Sequence, residues 1–104
     1  MTKGEISKEF ARLRQFGFKV WNFNSNRAFK SGMMKDFVDH LITNGKYIVF
    51  AEIKIGKDIL SDGQKETAKY LSSASIHNKF THYKLLTEMK QVKKLVDDLL
   101  GGKL

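Results

Sequence analysis

The dipeptide Asn44-Gly45, set between apolar runs at residues 36–42 and 47–55, constrains the fold more than any other feature of this chain. Both residues tolerate positive φ, which a two-residue turn between right-handed twisted strands demands, so the runs read as an antiparallel hairpin. A tight turn pairs Thr43 with Lys46, and paired residue numbers then add to 89. The other elements arrange around that hairpin. Residues 2–16 carry Ile6, Phe10 and Leu13 at helical spacing, with a Thr2-x-x-Glu5 capping box at the start and Gly17 at the stop. Residues 18–23 alternate apolar and polar as a strand does, and residues 24–32 read as a loop. A second helix starts at Ser61 with Gln64 three positions on and runs to about Leu71, and residues 80–86 form another strand. Thr87 is the expected cap of a final helix. Its Met89, Val92, Leu95, Val96, Leu99 and Leu100 form one apolar stripe, read as core, ending at Gly101-Gly102.

The predicted order is therefore α-β-β-β-α-β-α, an α/β (α+β) fold with a mixed sheet and helices packed on it. With 104 residues the chain is one domain, 1–104. It has no cysteine, which excludes a disulfide scaffold, a zinc ribbon and a thiol nucleophile. No apolar run approaches the ~18 residues of a membrane span, and the N-terminus leads into no secretory h-region, so the expected location is cytoplasmic, not secreted. A hydrophobic share of 41% is too high for a disordered basic tail, while the net charge of +8 favours a polyanionic partner.

Chemistry concentrates on the second hairpin strand, Ile48-Val49-Phe50-Ala51-Glu52-Ile53-Lys54-Ile55. Strand side chains alternate, so Glu52 and Lys54 share one face of an otherwise apolar segment. Ionised groups there are costly unless the face opens onto something charged. The triplet alone is weak evidence, because Glu88-Met89-Lys90 repeats it; its place in a central strand beside an Asp-containing strand gives it weight. In the 89 register Asp39 lies diagonally from Glu52 on the same face and Asp36 on the opposite one, and a turn one residue longer exchanges them. Two carboxylates on adjacent strands suit Mg²⁺, with the Ile53 carbonyl as a further ligand. Such an ion lowers the pKa of a bound water and neutralises a scissile phosphate, while the lysine stabilises added negative charge. The implied chemistry is phosphodiester hydrolysis.

Asp39-His40-Leu41-Ile42, the Asn-Gly turn, Phe50-Ala51-Glu52-Ile53-Lys54 and Leu60-Ser61-Asp62-Gly63-Gln64 together resemble the PD-(D/E)XK nucleases, closest to the virus-type replication-repair (VRR-NUC) branch. Val38 stands where that family has proline. The resemblance implies a restriction-endonuclease-like core and a metal-dependent DNA endonuclease using Mg²⁺, with Mn²⁺ as a substitute. Asp39 and Glu52 would be metal ligands, Lys54 catalytic, Gln64 beside the site and Glu5 its completion. Stand-alone members of this size are typically phage or viral homodimers that act on branched DNA such as Holliday junctions, here inside a bacterial host. Glu5 and Gln64 are equally explained as capping-box residues. Arg12, Arg27, Lys30, Lys35, Lys57, Lys65 and Lys69 are the expected contacts to the phosphate backbone, with Arg14 beside them. The three histidines lack the spacing of a metal triad and read as surface or partly buried residues. The competing reading is a non-catalytic basic nucleic-acid-binding module in which Phe23, Tyr47 or Phe50 stacks bases. A third is an inactive partner that keeps the fold.

Overall fold

The computed structural model describes residues 1–23 and 36–104. Seven elements follow in the expected order: α1 (Lys3–Gln15), β1 (Lys19–Asn22), β2 (His40–Thr43), β3 (Ile48–Ile53), α2 (Asp62–His77), β4 (Thr81–Leu86) and α3 (Met89–Leu100). The strands lie side by side as β1-β2-β3-β4, antiparallel except for the parallel β3–β4 pair, which needs the α2 crossover to bring the chain back. The result is a mixed α+β fold of three helices on a four-stranded mixed sheet. The loop expected at residues 24–32, with Arg27 and Lys30, and Lys35 after it lie outside the described residues.

Alternation decides what each face of the sheet meets. Val20, Ile42, Val49, Ala51 and Leu86 point to one side and are buried there against Ile6, Phe10 and Leu13 of α1 and Val92, Leu95, Val96 and Leu99 of α3. The α3 stripe is thus core, as its pattern indicates. Arg12 ties the two helices together, reaching Glu9 on its own helix at 2.8 Å and Asp97 on α3 at 3.0 Å. On the opposite face α2 packs against β4. Among the described residues no helix is long and apolar enough to cross a membrane.

Three local expectations are corrected. The hairpin pairs Thr43 with Ile48, so residue numbers add to 91, not 89. The Thr43 hydroxyl accepts the Gly45 amide and donates to the Tyr47 carbonyl, and the Asn44 carboxamide oxygen accepts from both Lys46 and Tyr47. Those side-chain bonds stabilise a wider loop than two residues, with Gly45 at φ 92°. Secondly, α2 continues past Leu71 to His77 although its last turns are serine-rich. Ser75 returns its hydroxyl to the Leu71 carbonyl instead of breaking the helix. Thirdly, α3 is capped at Glu88, not Thr87; the Gln91 carboxamide accepts both the Thr87 and Glu88 amides.

Candidate active site

At the end of the sheet where β2 begins and β3 ends, a cavity of about 390 Å³ opens between the first turns of α1 and α2. Its walls include Lys3, Ser7, Asn22, Asp39, His40, Lys54, Asp58 and Gln64. Carried one residue beyond β2, the observed register sets Asp39 level with Glu52 instead of diagonal to it. Shifting the sum by two residues preserves parity, so Asp39 still shares the Glu52 face despite the wrong turn length.

Asp39 holds an irregular backbone position. Its amide donates to the Ala51 carbonyl on β3, while its carbonyl accepts the Phe23 amide from the β1 side. In a regular strand both groups of one residue face the same neighbour, so the chain rotates here. The Asp39 carboxylate then accepts the Ile53 amide at 2.7 Å, extending the ladder with a side chain.

Glu52 is 2% exposed and sits just behind the cavity lining. Its Oε1 meets Lys54 Nζ at 3.4 Å and accepts from Gln64 Nε2 at 3.2 Å. A buried carboxylate is tolerated only with such compensation, and both partners carry it to the cavity wall. Gln64 reaches Glu52 because its other amide atom is fixed: Oε1 accepts the Ser61 backbone amide at 3.0 Å, closing the capping box of α2. The cap and the site contact are therefore one arrangement.

The other predicted residues divide plainly. The Glu5 carboxylate accepts the Thr2 amide at 3.0 Å, completing the α1 capping box, and does not line the cavity. Asp36 rests over the start of α2, accepting from the Ser61 hydroxyl at 3.4 Å, outside the cavity lining. Gly63 leaves room for it, since a Cβ there would collide with the Asp36 carboxylate. Arg12 is held between α1 and α3, and Arg14 donates to the Val20 carbonyl, so neither reaches the cavity. Lys57, Lys65 and Lys69 are exposed on the β3–α2 loop and on α2 and do not line the cavity.

Sequence reasoning missed five polar lining residues: Lys3, Ser7, Asn22, His40 and Asp58. Lys3 and Ser7 are four apart on one helix, a spacing that puts them on one face, and Asn22 pairs with His40 across β1–β2. His40 packs edge-on against Phe10 at 4.9 Å. Burial pushes its imidazole below the ordinary value despite the pull of the Asp39 carboxylate, so it is neutral near pH 7. Tyr83, on β4, responds to the same acids: burial first, then the charges of Glu52 and Asp39, push its phenol up to about 12.

Among the described residues no three His, Asp or Glu side chains form a ready-made metal cage. The donor set is instead two carboxylates on adjacent strands beside an open cavity, which fits a hard cation that keeps most of its waters. The rings proposed for base stacking, Phe23, Phe50 and Tyr47, are each packed on another ring. Phe37 packs between Phe23 and Phe50 at 5.5 and 6.0 Å, and buried Tyr47 packs on Phe80 at 5.5 Å. No family model, curated protein or solved structure matches the chain.

Proposed function

We propose that the chain is a divalent-metal-dependent DNA endonuclease with a PD-(D/E)XK-type site, acting on branched DNA in a host-cell cytoplasm as a homodimer. One observation carries the reading: Glu52 is buried level with Asp39 and held by Lys54 and Gln64 at the wall of an open cavity. A Mg²⁺ ion bound to Asp39 and Glu52 would supply an activated water and charge neutralisation at the scissile phosphate. Lys54 holds its ammonium where negative charge grows on the phosphate, and Glu52 keeps that ammonium in place before substrate arrives. Gln64 donates to the same Glu52 carboxylate oxygen that Lys54 meets and helps to fix it. Lys57, Lys65 and Lys69 supply sequence-independent attraction for a phosphate backbone. The engaged state of Phe23, Phe37, Phe50 and Tyr47 argues against the base-stacking module.

The test uses nicked, flapped, linear and four-way DNA with Mg²⁺, Mn²⁺ or EDTA. Cleavage is expected with metal only, and Glu52→Gln should lower it on the order of a hundredfold or more while leaving the circular dichroism spectrum unchanged. Binding without cleavage under every condition would replace this reading with the non-catalytic module.

A further inference from the structure

The cavity has two chemically different walls. Asp39, Asp58 and Lys54 stand on one side, with Glu52 behind them and Lys54 already paired to it. The α1 wall carries Lys3 and Ser7. Lys3 is in no salt bridge among the described residues, and its helix gains nothing from it, because a cation in the first turn opposes the macrodipole. The helix takes its stabilising acid from Glu5 instead. Ser7 lies one turn further along the same face, and both residues line the cavity. An ammonium beside a hydroxyl is a donor pair suited to phosphate oxygens, while the acidic wall repels any anion not bridged by a cation. At about 390 Å³ the cavity falls within the range that encloses an organic ligand (~300–1,000 Å³), more than one phosphodiester group needs.

We propose that Lys3 and Ser7 form an anion subsite for the phosphate next to the one that is cleaved, so that the cavity engages a polynucleotide strand at two consecutive phosphates. This rests on the nuclease reading and specifies its substrate as a chain rather than a single phosphodiester.

The experiment scans one neutral methylphosphonate linkage at a time along one strand of a four-way junction, with the native chain, Lys3→Gln, Lys3→Arg and Ser7→Ala. Cleavage is measured with Mg²⁺ and affinity with EDTA. The native chain should lose about tenfold in cleavage at one linkage adjacent to the cut. Lys3→Gln should be about tenfold slower on all-phosphate DNA and lose little more at that linkage, and Lys3→Arg should restore the native pattern. Losses from Lys3→Gln and the neutral linkage that simply multiply would overturn the subsite. Complete absence of metal-dependent cleavage by the native chain would instead overturn the nuclease reading. In that event the same non-multiplying pattern in the EDTA affinities still decides whether Lys3 holds a phosphate.

Discussion

Gln64 carries two duties with one carboxamide, its oxygen on the Ser61 amide and its nitrogen on Glu52. Glu5 occupies the same position in an identical helix-start motif, yet its carboxylate serves only the cap. Their spacing is the same, and apart from the amide N–H that only Gln64 can give, nothing local separates them. The difference is what lies in front of each helix start, and that depends on the tertiary path of β3, which local spacing does not encode. Glu52 and Lys54 were legible for the opposite reason, since charges within an apolar strand stand out against its pattern. Tyr83 was not, because a tyrosine in a strand looks like any other until its acidic neighbours are placed. Its phenol is pushed up to about 12, so the folded chain keeps a proton that the unfolded chain releases near the ordinary value of ~10. The stabilisation is complete below that ordinary value and is lost as pH climbs toward the folded one. Thermal midpoints should therefore fall from about pH 9.5 to about pH 11.5, and fall less steeply in Tyr83→Phe; parallel curves would remove Tyr83 as the cause.

Elements were easier to read than their edges. The order of helices and strands follows from period alone, and Gly17, Asn44-Gly45 and the Ser61 cap mark real boundaries. Loop width was misread because Thr43 and Asn44 bond to the backbone through their side chains, an option that an Asn-Gly pair does not announce. The serines of α2 concealed its length in the same way, by hydrogen-bonding back into the helix. Helix α2 is also where stability and the site meet. The Ser61 hydroxyl accepts the Gln64 amide at 3.1 Å, so Ser61→Ala should cost about 1 kcal/mol in chemical unfolding. The backbone half of the box remains in that variant, so metal-dependent cleavage should fall far less than in Glu52→Gln. Equal losses would mean that the hydroxyl has a second role.

At the scale of the molecule, the radius of gyration of 13.2 Å matches the ~13 Å expected for about 100 residues folded around one core. Among the described residues there is one cavity with this pair of acids, and cutting two strands of a junction in step needs two such sites, related by a two-fold axis. Tyr70 and Ile76 leave apolar surface on the outer side of α2, at 65% and 81% exposure. Sedimentation at micromolar concentration should give twice the mass of a single chain, and a strict monomer would exclude paired cutting. The net charge of +8 was fully visible in the sequence, but its distribution was not: Arg12, counted there among the DNA contacts, joins two helices instead.

The bond from the Ile53 amide to the Asp39 carboxylate alters how a loss of function at that acid must be interpreted. Alanine there would delete a negative charge and, at the same stroke, orphan a main-chain donor at the rim of the sheet, so a dead variant would confound electrostatics with a frayed strand. Asparagine keeps an oxygen able to receive that donor and discards only the charge, which makes it the substitution that isolates the acid's own contribution.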